Sequence, residues 1–165
     1  MINHQVIIRK TIPEDYTPLW NIFKEVVEAE TYFMHSKHTT RREWKNYWLG
    51  KDVNTYTAVK GNMVVGSYIL KPNQPGLGSH VANASYIVNK VNRGKGIGEL
   101  LAEHSISEAK NMDYIAIQFN AVVSTNHNAV KLWKKYGFKI VGTNPEAFRH
   151  HSLGLVDTYV MYRTL

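Results

Sequence analysis

No cysteine occurs among the 165 residues, which excludes a disulfide framework and an acyl-cysteine intermediate. Long apolar runs are also missing, and none approaches the roughly 20 residues that cross a bilayer as a helix. The start, Met1-Ile2-Asn3-His4-Gln5, lacks the charged and then apolar regions of a secretory leader. These absences lead to the expectation of a cytoplasmic protein with no membrane partner. Charge runs are absent too: the net charge is +7, yet Lys and Arg never exceed two in a row (Arg9-Lys10, Arg41-Arg42, Lys134-Lys135). Scattered cations steer polyanionic small molecules as readily as nucleic acid, so no nucleic-acid partner is expected. No repeat, low-complexity tract or linker divides the chain, and residues 1–165 are read as one domain.

What is present is a mixed order of strands and helices. Hydrophobic residues make up 44% of the chain, enough for a real core. Gln5 to Arg9 alternates as a strand. From Pro13 to about Glu30, Leu19, Ile22, Phe23, Val26 and Val27 share one helical face. A second helix is expected from Thr39 or Thr40 to Leu49. Thr55 to Val59 and Met63 to Leu70 form a hairpin turned by Gly61-Asn62. Pro72 to Gly78 is a connector, and Ser79 to Asn89 a long central strand. A helix over Glu99 to Asn111, a strand over Tyr114 to Asn120 and two further strands, Phe138 to Gly142 and Thr158 to Tyr162, complete the order.

Between the central strand and its helix lies Arg93-Gly94-Lys95-Gly96-Ile97-Gly98. Glycines let a backbone turn tightly and bring its N–H groups near a ligand, and the helix start adds free amides and a positive dipole end. Arg93 and Lys95 supply charge, so the loop suits a phosphate. It fits neither the Walker loop, since no Ser or Thr follows Lys95, nor the dinucleotide fingerprint, since the glycines stand at 94, 96 and 98. Further on, Asn126 suits an N-cap, Ala129, Val130, Leu132 and Trp133 form an apolar stripe, and Gly137 suits a C-cap before Phe138.

Arg93-x-x-Gly96-x-Gly98 resembles the pyrophosphate-binding signature of the GNAT superfamily of N-acetyltransferases, which bind acetyl-CoA. Asn126-x-x-Ala129-x-x-Leu132, followed by Gly137-Phe138, resembles the family's second CoA-contacting helix. Pro72 to Ala84, Gln118 to Asn126 and the tail pieces Phe148-Arg149-His150, Val156-Asp157 and Met161-Tyr162-Arg163 are similar to a bacterial subgroup related to L-azetidine-2-carboxylate acetyltransferases. The resemblance implies an α/β (α+β) fold with one mixed, mostly antiparallel sheet. Helices flank it, and its central parallel strands splay to admit the pantetheine arm. It implies backbone contacts from Ile87 and Val88, a small-molecule amine as partner, no metal, and a possible homodimer.

Direct transfer from thioester to amine needs a base for the ammonium proton. The central strand has no Asp or Glu, which leaves His80 as the nearest titratable group, or a water. The family's tyrosine acid is replaced by Trp133, whose indole does not donate a proton usefully. Asn83 is assigned to holding the acceptor and Asn120 to stabilising the reacting centre, since a side-chain amide donates without changing charge. Glu28, Tyr32, Arg149 and His150 are the expected acceptor-binding residues. The paired His150 and His151 lack a third ligand at metal-site spacing. Three readings stay open: a small-amine acetyltransferase, a protein or peptide acetyltransferase, and a non-catalytic acyl-CoA-binding module.

Overall fold

The alternating segments pair into a single seven-stranded sheet in a computed structural model that describes residues 5–165. Met1 to His4, part of the start read above as lacking a leader, lie outside the described residues. The strands are β1 (Val6–Lys10), β2 (Asn54–Lys60), β3 (Met63–Pro72), β4 (Val81–Val88), β5 (Ala116–Val123), β6 (Lys139–His150) and β7 (Gly154–Thr164). Their order is β1-β2-β3-β4-β5-β7-β6, and every neighbouring pair is antiparallel except β4 and β5. The mixed, mostly antiparallel sheet of the sequence reading is therefore present. Among the described residues, no helix is long and apolar enough to cross a membrane.

Among the described residues, four α-helices cover the two faces: α1 (Tyr16–Glu28), α2 (Arg41–Trp48), α3 (Ile97–Asn111) and α4 (His127–Lys135). Alternation along the strands sends successive side chains to opposite layers. Tyr68, Leu70, Ala82 and Ala84 pack with Leu101, Ala102 and Ile106 of α3 and Trp133 of α4. Ile69 and Ile87 pack with Leu19, Phe23 and Val27 of α1 and Trp44 and Trp48 of α2. The α1 stripe is the one its sequence spacing predicts, and each fully buried aliphatic or aromatic side chain is worth about 1.5–3 kcal/mol. Thr40 caps α2 reciprocally with Glu43, whose carboxylate takes the Thr40 N–H at 2.7 Å.

The differences from the sequence reading lie mainly at the C-terminal end. β6 and β7 continue to His150 and begin at Gly154, well beyond the expected strands Phe138 to Gly142 and Thr158 to Tyr162, so Phe148 to Leu155 is a paired hairpin. Two register shifts in β6, between Ile140 and Gly142 and between Asn144 and Phe148, blur the alternation that would have marked a long strand.

Before α1, Pro13–Asp15 makes a 3₁₀ turn held by Asp15, whose carboxylate is buried. Arg9 donates to it twice, at 2.6 and 2.9 Å, and the Ile12 N–H donates at 3.0 Å. Burial alone would raise the Asp15 pKa, but the guanidinium and the amide outweigh it and hold it below its ordinary value. The stabilisation is thus present above the usual carboxylate range and lost as pH falls through the lowered value. Asp15→Asn should cost about 1–3 kcal/mol at neutral pH, seen as a lower Tm in thermal unfolding. The gap to the parent protein should narrow as the buffer is made acidic.

Candidate active site

β4 and β5 are paired only at their starts, Val81 with Ala116 and Ala82 with Ile117. Beyond that point the two strands part. The antiparallel ladder with β3 fixes which backbone groups are left over. Val81 accepts from Asn73 N–H at 2.8 Å, and Asn89 donates to Val65 at 3.0 Å, with unbroken register between them. Odd-numbered residues of β4 therefore spend their N–H and C=O on β3, and Ala84, Tyr86 and Val88 turn theirs into the gap. Ile87, expected to offer backbone contacts there, faces Ser67 instead, whereas the backbone of Val88 faces the gap.

Asn83 marks the point of divergence. Its Nδ2 donates at 2.9 Å to the Gln118 carbonyl, the acceptor that a continued ladder would have given to Ala84. On the other side, β5 slips register with β7 between Phe119 and Val122, so Asn120 and Ala121 sit at a bulge. The Asn120 amide is held at both ends, accepting from Gln118 Nε2 at 2.9 Å and donating to Asn73 Oδ1 at 2.7 Å.

A cleft of about 810 Å³ runs through this gap and opens on both layers. On the α3 and α4 side its wall includes Arg93, Gly94, Gly98, Asn126, Ala129 and Trp133. Gly94 and Gly96 have φ of 71° and 81°, and Gly96 caps α3, so the loop delivers the first amides of α3 to the cleft mouth. Arg93 Nε donates to the Val88 carbonyl at 3.2 Å, tying the loop to the end of β4. Ile97 is buried beneath the loop, and Lys95 is exposed on it. Asn126 caps α4 through its Oδ1, which takes the Ala129 N–H at 3.2 Å. Trp133 is wedged at 4.5 Å from the Phe119 ring and 4.7 Å from that of Tyr86. Tyr136 donates to Glu103 at 2.7 Å, and burial together with that carboxylate pushes its pKa up to about 12.

The α1 and α2 side is lined by Tyr32, His35, Tyr47, Lys71, Asn73 and Ser85, with Asn83 and Asn120 at its floor. Tyr47 shares a hydrogen bond with Ser85 at 2.7 Å, and burial raises its pKa. The His35 ring packs 4.3 Å from the Tyr47 ring, with Nδ1 buried and without a hydrogen-bond partner. Burial and the nearby Lys71 charge lower the His35 pKa, only partly offset by Glu43, because protonation would leave a charged ring with an unsatisfied N–H.

Several sequence-predicted residues stand elsewhere. His80 is exposed at the paired end of β4, where its carbonyl takes the Ile115 N–H at 3.0 Å, and it does not line the cleft. Glu28 is exposed at the end of α1, outside the cleft. Arg149 and His150 belong to the β6–β7 hairpin, and His150 Nδ1 caps the turn by accepting from Ser152 and Leu153 amides at 3.2 and 3.3 Å. Tyr32 does line the cleft. His35, Tyr47 and Lys71 were not legible as site residues, because their grouping depends on how the loop after α1 folds over β3 and β4.

The loop geometry separates two glycines. A Cβ at Gly96 meets open space, so only its positive φ opposes substitution, whereas Gly98 lacks that conformation and a Cβ there would touch only Leu132 at 3.6 Å. Gly96→Ala should lose about 1–2 kcal/mol and lower Tm, while Gly98→Ala should leave Tm unchanged or raised. Parallel thermal unfolding of both variants checks this.

The profile of the acetyltransferase (GNAT) family matches residues 19–138. The N-acetyltransferase aca1 of Schizosaccharomyces pombe is 34% identical over 99 residues, 59% of this chain. That match covers 47% of the yeast protein, so the chain corresponds to about half of it. A GCN5-related N-acetyltransferase from Kribbella flavida superposes with a TM-score of 0.93 at 38% identity, covering 97% of this chain and 98% of its own. The fold is also that of a phosphinothricin acetyltransferase from Sinorhizobium meliloti solved with AcCoA, with a TM-score of 0.86, 18% identity and coverage of 97% and 88%. Splayed strands, glycine-capped helix and family profile coincide on one region, and the chain belongs to the acetyltransferase (GNAT) family.

Proposed function

We propose that this protein transfers acetyl from acetyl-CoA directly to the nitrogen of a small amine or imino acid. The observation that carries the reading is the interrupted β4–β5 ladder beside a glycine-capped helix start, with a cleft crossing to the opposite layer. Amides at the start of α3, with Arg93 and Lys95 nearby, suit the pyrophosphate of acetyl-CoA. The gap-facing backbone of Tyr86 and Val88 suits the two amides of its pantetheine arm, bound as an added strand. The acceptor then enters from the α1 and α2 side. Asn83, whose Oδ1 remains free to accept, suits the incoming amine, and the second N–H of Asn120 suits the oxyanion that forms as nitrogen attacks.

In this reading His35 takes the ammonium proton, because it is the one imidazole lining the cleft among the described residues and its lowered pKa keeps it neutral at pH 7. The nitrogen–carbon bond forms as the carbon–sulfur bond breaks, and the electron pair leaves on sulfur. A thiolate of this type, with a thiol pKa near 8.5, departs without needing a protein acid. Trp133 in place of a tyrosine is compatible with that.

Release of CoA thiol from acetyl-CoA, followed across a panel of amines, tests the reading. Amine-dependent release is expected, with kcat/KM rising on the acid side through an ionisation below 6.5. His35→Gln should lower kcat/KM about 10²- to 10⁴-fold and abolish that ionisation. Tight acetyl-CoA binding without release by any amine would instead favour a non-catalytic acyl-CoA-binding module.

A further inference from the structure

We propose that Lys71 binds a carboxylate on the acceptor, so that the substrate class is a small amino or imino acid in which acid and amine share one carbon. The inference rests on the acetyl-transfer reading above. Lys71 projects from β3 on the same face as Ile69, half-buried, with its ammonium 4.6 Å from the centre of the Tyr47 ring. The ring face attracts the charge but accepts no conventional hydrogen bond from its three N–H donors. Among the described residues the ion pairs are Arg9–Asp15, Lys37–Glu30 and Lys135–Glu99, and Lys71 belongs to none. A cation partly withdrawn from water and aimed into a cleft is completed by an anion arriving there.

The rest of the cleft agrees with an anionic acceptor. No Asp or Glu lines it. Glu30, just past the end of α1, is spent on Lys37 at 3.3 Å. A polyamine or aminoglycoside would therefore meet the Lys71 charge with no lining carboxylate to receive it. A plain neutral or cationic amine would leave Lys71 as it is.

Register sets the size of the acceptor. Lys71 stands directly across from Asn83, so their Cβ atoms are about 5 Å apart, the spacing of cross-strand partners. An anion on Lys71 and an amine at Asn83 thus belong to one compact molecule. The same carboxylate would cancel the Lys71 charge that disfavours a proton on His35. Acceptor binding would then raise the affinity of His35 for the proton it must take, coupling recognition to the transfer.

The test compares amines with and without the carboxylate: L-azetidine-2-carboxylate against azetidine, L-proline against pyrrolidine, and α-amino acids against their amides, with spermidine as a polycation. Thiol release is measured for the parent protein, Lys71→Met and Lys71→Arg, after acetyl-CoA affinity and Tm of each variant are matched to the parent. At least one acid should exceed its carboxylate-free partner about 10-fold or more in kcat/KM. Lys71→Met should erase most of that preference, chiefly through KM, and Lys71→Arg should retain part of it. Equal or better use of the carboxylate-free amines overturns the proposal while leaving acetyl transfer standing, and so does a preference unchanged in Lys71→Met. The parent protein's own preference decides the matter even if a variant fails to fold. Silence across every amine removes the acetyl-transfer reading and this proposal with it.

Discussion

The structure depends on one parallel pair of strands that stops pairing after two residues of each. On one side of the gap β1 to β4 form an antiparallel ladder with one register shift, between Ala58 and Val59, and on the other β5 and β7 pair antiparallel for most of their length. The break leaves the backbone groups of Tyr86 and the Val88 N–H without a strand partner, while the Val88 carbonyl takes only the Arg93 side chain, and such groups are costly inside a protein unless water or a ligand meets them. Two features hold it open. The Asn83 side chain occupies the carbonyl that would have prolonged the ladder, and Trp133 packs against the touching rings of Phe119 and Tyr86 on the α3 and α4 layer. A tryptophan at this position has packing work on both strands, which gives a structural reason for a residue without acid chemistry.

Because the gap crosses the sheet, the two layers have divided chemistry. One presents amides, glycines and Arg93, a set that suits a phosphorylated ligand, and the other presents Tyr47, His35, Lys71 and the asparagines. The second set is built on an aromatic platform. Phe23, Phe33, His35, Tyr47 and Trp48 form consecutive ring contacts between about 4 and 6.5 Å that anchor the loop after α1. Trp48 also donates to Ser67 at 3.0 Å, and Ser67 passes the bond to the Tyr56 carbonyl at 2.7 Å, so this buried polar chain is satisfied.

How much of this was legible in the sequence follows from the range over which each signal acts. The Arg93 to Gly98 loop and the Asn126 cap could be read because their conformations are fixed within a few residues by glycine and by side-chain capping. The α1 stripe was equally local. Which of Ile87 and Tyr86 turns its backbone into the gap was not readable, since that phase comes from the partner strand β3. Arg149 and His150 were misplaced because bulges in β6 hid a long strand whose turn His150 caps. The His35, Tyr47 and Lys71 group is non-local altogether: three residues on a loop, a helix and a strand meet only through ring packing.

Backbone amide resonances of a ¹⁵N-labelled sample, followed as acetyl-CoA is added, test the central claim most directly. Tyr86 and Val88, with the first amides of α3 after Gly96, should shift and gain protection from hydrogen exchange. Ser85 and Ile87, already bonded to β3, should change little in protection. A titration in which acetyl-CoA binds yet leaves Tyr86 and Val88 unprotected would contradict the account, since the ligand would then be held somewhere other than the gap between the splayed strands.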